Sequence, residues 1–229
     1  MSLYLSLLIF SIIFPLVLSF DKKVRFYKMW RSVLPSVIII GVIFIIGDIF
    51  FTKSGIWGFN PAYHSTIILM DLPVEEWLFF FVVPYASIFL HYVIVYYYPH
   101  LLLGNQFVKV ITWPLILFLL LVVVFNYEKT YTLVVCSLVI LSLVLALFNT
   151  TLILNRFFIS FLIILIPFFI LNALLTGTFI PEEVVWYNNS EILGIRILTV
   201  PIEDIGYAFS LILLNLLLIS KFQQVAESK

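Results

Sequence analysis

The chain has 229 residues, of which 64% are hydrophobic and only 10% charged, and its mean hydropathy is +1.21. That composition excludes an ordinary soluble domain and belongs to the membrane class. A formal net charge of zero leaves no basic surface for nucleic acid, and a single cysteine, Cys136, rules out an intrachain disulfide and reads as a small packing residue.

A helix needs about 20 apolar residues to span the hydrocarbon. Seven runs approach that length: Leu3–Phe20, Val33–Phe51, Val74–Val95, Val108–Phe125, Tyr131–Phe148, Phe157–Leu175 and Val200–Ser220. They are continuously apolar, without period-two alternation, which predicts helices and not a barrel. The first run lacks a basic leading segment and a small-residue cleavage site, so it is expected to stay as a transmembrane helix. At the other end, Ala226-Glu227-Ser228-Lys229 carries no lipidation signal. Pro15, Pro35, Pro84, Pro114 and Pro167 fall inside or near helix ends, where membrane helices absorb them as kinks.

Basic residues set the expected orientation. The first loop holds Lys22, Lys23, Arg25, Lys28 and Arg31; placing it in the cytoplasm also places Lys109, Arg156, Lys221 and Lys229 there, nine of the twelve Lys and Arg. Lys53, Lys129 and Arg196 face the other way. The expectation is a multi-pass protein of the plasma membrane, N-terminus outside and C-terminus cytoplasmic. Two long loops, Thr52–Pro73 and Thr176–Thr199, then lie on the outer side. Each contains a Trp (Trp57, Trp186) and Asn residues (Asn60; Asn188 and Asn189), and long loops with their own character tend to be functional.

Each long loop runs into the same kind of helix start. Leu72-Pro73-Val74-Glu75-Glu76-Trp77-Leu78-Phe79-Phe80 recurs as Val200-Pro201-Ile202-Glu203-Asp204-Ile205-Gly206-Tyr207-Ala208-Phe209, offset by 128 positions. An even number of crossings separates the two, so both motif helices run in the same direction. The predicted fold is all-α, one transmembrane domain over 1–229 made of two parallel three-helix repeats. Repeat one covers about 1–100 and repeat two about 131–221, with a connector helix at about 108–125. Both acid pairs then lie at one depth and can face a common cavity.

Acids at the head of a helix have an ordinary use, since Pro suits the first helical position and carboxylates complement the positive end of the helix dipole. Capping needs only one acid, however, and here two adjacent acids occur twice. Pro181-Glu182-Glu183 has the same tripeptide character but no long apolar helix behind it, and reads as solvated. The alternative reading is acid–base chemistry, because carboxyl groups within a bilayer are expensive and tend to mark function. Burial disfavours the charged form of a carboxyl group, and a second carboxylate nearby disfavours it further. Two pairs thus offer one proton donor and one acceptor. The candidate catalytic residues are Glu75, Glu76, Glu203 and Asp204. Aromatic residues cluster around them, and ring faces stabilise cations. The candidates for that part are Trp77, Phe80, Tyr85, Trp186, Tyr207 and Phe209. Asp48, the one acid within helix two, and Asn172, which is comparably placed in helix six, are expected to support the pairs or to bond between helices, with Trp57 and Asn60 supporting from the loop.

His64, His91 and His100 have no metal-ligand spacing, so no metal is expected. No dinucleotide fingerprint and no phosphate loop occur, so no nucleotide cofactor is expected either. A proton-coupled transporter would also place acids in the membrane, but usually breaks its helices with Gly near the midplane. A retinal-binding bundle needs a lysine inside a helix, and none of the predicted helices has one.

The paired Pro-x-Glu-(Glu/Asp) motifs, each behind a Trp-bearing loop, resemble the small integral-membrane lycopene cyclases of carotenoid synthesis. These occur as two short subunits or as a fused chain, and the resemblance is to the fused form over nearly the whole length. The family pattern has an aromatic residue before the acid of helix two, where this chain has Gly47. The resemblance implies redox-neutral cyclisation of lycopene, with β-carotene as product once both ends are closed. Cyclases forming ε or γ rings, or acting on elongated carotenoids, are the enzymatic alternatives. The implied partners are the apolar carotenoid and membrane lipid, joined by either neighbouring carotenoid enzymes or a second copy of the chain.

Overall fold

A computed structural model describes residues 2–149 and 151–227. Among them are seven long helices: α1 (Leu3–Leu18), α2 (Trp30–Lys53), α3 (Val74–Tyr97), α4 (Asn105–Phe125), α5 (Thr130–Asn149), α6 (Thr151–Leu175) and α7 (Glu203–Glu227). All but α1 are long and apolar enough to cross a membrane. α1 has 16 residues, about 24 Å at 1.5 Å per residue, less than the usual span. The protein is an all-α, multi-pass membrane protein.

Local sequence explains the ends. α3 begins after Pro73, whose φ of −58° already suits a helix, and carries Glu75 and Glu76 in its first turn. It stops at Tyr97 because the residue before Pro99 is barred from the α region. α6 stops where Gly177, at φ +105°, turns the chain. α7 starts at Glu203, not at Val200 as expected, because Val200–Pro201 is used as a strand.

The two long loops carry that short strand structure, which their sequence did not announce. β2 (Ile68–Leu69) pairs with β3 (Leu72–Pro73), and β5 (Arg196–Ile197) pairs with β6 (Val200–Pro201), so a tight hairpin leads into each acid-bearing helix. Met70 and Asp71, at φ 51° and 68°, make the two left-handed turn positions of the first hairpin, and Leu198 at 57° serves in the second. β1 (Trp57–Phe59) pairs antiparallel with β4 (Val185–Tyr187), Gly58 opposite Trp186. β4 is β1 displaced by 128 positions, so this ribbon joins the two repeats at their twofold relation. Gly58 is needed there, because a Cβ on it would collide with the Trp186 indole.

The repeats interleave. α1 packs on α3 and α5 on α7, as repeat mates; across the repeats α2 packs on α7 and α6 on α3, and α3 also meets α7. α4 lies outside, against α5 and α6. Buried polar contacts pin the crossed pairs: Ser36 Oγ donates to Asn215 Oδ1 at 2.9 Å between α2 and α7, and His91 Nδ1 meets Ser160 Oγ at 2.6 Å between α3 and α6. The core has two parts. One, around Phe26, Tyr85, Phe89, Phe157 and Phe209, fills the end remote from the acids; the other, around Tyr4, Phe44, Trp57, Phe80, Tyr131 and Tyr207, fills the acid end.

Candidate active site

Neighbouring residues on a helix point about 100° apart. The two acids of each pair therefore meet different surroundings. Glu75 turns towards the loop, where its Oε1 accepts from Ser2 Oγ at 2.6 Å and from the Ser65 amide at 2.7 Å, and its Oε2 accepts from Ser65 Oγ at 3.0 Å. Glu203 does the same in repeat two: its Oε1 accepts from the Leu193 amide at 2.6 Å and from Thr132 Oγ1 at 2.7 Å. Ser65 and Leu193 each lie ten residues before their acid. The first acid of each couple is thus a strut that fastens a loop and an adjoining helix to the helix start.

The second acids turn inwards. Glu76 and Asp204 line one cavity of about 50 Å³, with Tyr4, Trp57, Phe59, Phe79, Phe80, Tyr131, Asn172, Tyr187 and Tyr207 among its walls. That space holds a few waters at most, so a ring-forming chain end enters only as the walls part. Phenols hold both acids. Tyr4 Oη donates to Glu76 Oε2 at 2.6 Å; Tyr131 Oη donates to Asp204 Oδ1 at 2.7 Å, and Tyr187 Oη to Asp204 Oδ2 at 2.9 Å. Tyr187 sits in β4, where burial first and the neighbouring Asp204 second push its phenol well above the usual range, so it remains a donor. The rings contact one another edge to face, Trp57 on Tyr131 at 5.0 Å, Phe44 on Tyr207 at 5.1 Å and Trp57 on Tyr187 at 5.7 Å. The ring faces around the cavity can stabilise a cation formed between them.

Asp48 does not line this cavity; it is fully buried and interacts electrostatically with Glu76. Among the described residues neither of its oxygens has a hydrogen-bond partner of good geometry. The nearby Trp57 indole N–H is spent on Thr52 Oγ1 at 3.1 Å.

Of the residues expected in the site, Glu76, Asp204, Trp57, Phe80, Asn172 and Tyr207 line the cavity. The others lie elsewhere. Trp77 donates its indole N–H to Leu69 O at 3.1 Å, clamping the first hairpin. Tyr85 lies about 13 Å further along α3, where its hydroxyl meets Ser19 Oγ at 2.6 Å and the Trp30 indole at 3.1 Å. Phe209 packs on Phe157 and Phe161, and Trp186 covers Gly58 at the surface. Asn60 donates to Glu182 Oε2 at 2.9 Å in the exposed loops. The repeat offset also corrects one comparison: Asn172 matches Phe44, and the mate of Asp48 is Thr176.

The phenols of Tyr4, Tyr131 and Tyr187 are what the sequence reading missed. A signal existed: Tyr4 and Tyr131 stand at the heads of the first helices of the two repeats, 127 positions apart, one short of the motif offset.

Fold and site together define a multi-pass membrane protein whose two halves each bring a buried carboxyl to one aromatic cavity. The family model for lycopene cyclase matches residues 1–94 and 128–222, which cover α1, α2, α5 and α6, most of α3 and α7, and leave out α4. The chain belongs to the lycopene cyclase family, and as such is a membrane enzyme of the carotenoid cyclase type. No curated protein and no solved structure matches it.

Proposed function

We propose that this protein is a lycopene β-cyclase, an intramolecular lyase that closes β-ionone rings at the ends of lycopene through γ-carotene to β-carotene. The observation that carries this reading is the meeting of Glu76 and Asp204, one from each repeat, in a single aromatic cavity. One carboxyl protonates the terminal double bond. The neighbouring alkene attacks the resulting tertiary cation and closes a six-membered ring, and the other carboxyl removes a proton to set the ring double bond. Phe80, Tyr207 and Trp57 surround the charge while it exists. The reaction is redox-neutral, so the reading calls for no electron-carrying cofactor. Nine of twelve basic residues favour a plasma-membrane topology with the N-terminus and the acid end outside. The substrate arrives dissolved in lipid, from enzymes that make acyclic carotenoids.

The test is expression in a lycopene-accumulating bacterial host. The red pigment should turn yellow-orange, and chromatography with absorption spectra should show β-carotene. Unchanged lycopene in membranes that contain the protein would refute cyclase activity; ε-ring or γ-ring products would refute only the ring type.

A further inference from the structure

We propose that the two repeats divide the proton work unequally: Glu76, backed by Asp48, delivers the proton, and Asp204 removes one from the cyclised cation. This assignment rests on the cyclisation proposed above.

The repeats match closely at their struts and differ at the cavity. Displacing Tyr187 by the 128-position offset gives Phe59, which keeps the ring and lacks the hydroxyl. Displacing Asp48 gives Thr176, so a third carboxyl exists only beside Glu76. The consequence lies in where a proton can sit. At Asp204 a phenol donates to each oxygen, Tyr131 to Oδ1 and Tyr187 to Oδ2. A carboxylate accepts and does not donate, so two inward-pointing donors suit a group ready to receive. At Glu76, Tyr4 donates to Oε2 alone, and among the described residues no donor is directed at Oε1. Among the described residues Asp48 has no hydrogen bond of good geometry at either oxygen, its one neighbouring donor being the Trp57 indole N–H, which lies on Thr52 Oγ1. Oε1 of Glu76 is therefore free to carry a proton with no donor to displace, and a proton on Asp48 has only the Trp57 indole N–H beside it.

In the forward step the Glu76 O–H bond breaks and a C–H bond forms at the CH carbon of the terminal alkene, leaving the charge on the tertiary carbon. The next alkene supplies the electron pair for the ring bond. Asp204 then takes a proton from the carbon next to the new cationic centre, and that C–H pair becomes the ring double bond. One proton enters and one leaves; Asp204 gives its proton up to solvent and Glu76 takes a fresh one from solvent, which resets the site. Tyr187 is a positioning residue here, acting through Asp204.

Membranes carrying the full chain and lycopene in deuterated water separate the two roles. The native protein should place one solvent deuterium in each ring. Asp204→Asn should stop ring formation yet leave reversible protonation, so recovered lycopene gains deuterium at its terminal alkene; Glu76→Gln should show neither. Tyr187→Phe should raise the ratio of exchange to cyclisation several-fold, whereas Tyr4→Phe should lower both together. Exchange in Glu76→Gln but not in Asp204→Asn, exchange in both, or exchange in neither would each overturn the assignment, and an unchanged ratio in Tyr187→Phe would remove that residue's part. Absence of any cyclic product from the native protein would instead fail the cyclase reading itself.

Discussion

Glu75 and Glu76 are chemically identical neighbours, and the structure gives them different work, so a matched pair of amide substitutions is informative. Glu75→Gln keeps an oxygen for Ser2 Oγ and the Ser65 amide and loses chiefly the acceptor for Ser65 Oγ at 3.0 Å. A hydrogen bond to a carboxylate contributes about 1.5–3 kcal/mol net, a roughly ten- to hundredfold change in the folding equilibrium. Turnover of correctly inserted protein should then stay within about tenfold of the native value. Glu76→Gln leaves Tyr4 an oxygen to donate to but removes the transferable proton, and loss of a general acid or base costs about 10²–10⁴-fold in rate. The same contrast should hold between Glu203→Gln and Asp204→Asn, since among the described residues Glu203 Oε2 has no partner to lose. The assay is initial conversion of lycopene in isolated membranes, normalised to protein by immunoblot, with thermal unfolding in detergent to register the struts. Equal losses at Glu75 and Glu76 would show that both acids handle protons, and the division drawn from their hydrogen bonds would be wrong.

Gly58→Ala should lower the unfolding midpoint, because its methyl group meets the Trp186 indole in the ribbon that joins the repeats; overpacking of this kind costs about 1–3 kcal/mol, and an unmoved midpoint would refute the tight approach. Tyr207→Phe should leave the midpoint equal or raised, since among the described residues the buried Tyr207 hydroxyl has no hydrogen-bond partner and an unsatisfied buried hydroxyl costs about 1–3 kcal/mol. A clear fall in stability would reveal a partner for that hydroxyl.

The helices were legible because a bilayer admits few structures: long apolar runs must satisfy their own backbone, so Val74 and Leu175 fall at helix limits in both readings. The motif offset was legible too, because two adjacent acids are rare beside such runs. What sequence could not supply was direction around the helix axis. Nothing in Glu75-Glu76 says which carboxyl faces the loop; that depends on Ser2 and Ser65, which are remote in the chain and approach only after α1 and the hairpin have packed. For the same reason Trp77 and Phe209 looked like walls, while Tyr4 and Tyr131, ordinary members of apolar runs, did not look like ligands of an acid. The ribbon between β1 and β4 escaped notice because three-residue strands are too short to show alternation.

The crossed packing of α2 on α7 and of α6 on α3 has a consequence for how such a molecule can be encoded. Each three-helix half leaves a bare flank that only its sibling covers, and each supplies a single inward-facing carboxyl at the motif. Neither half is an enzyme in miniature, yet the mutual fit does not depend on a peptide link between them. A polypeptide severed in the stretch before α4 would still carry the helix faces that meet across the halves, because none of those contacts runs through the link.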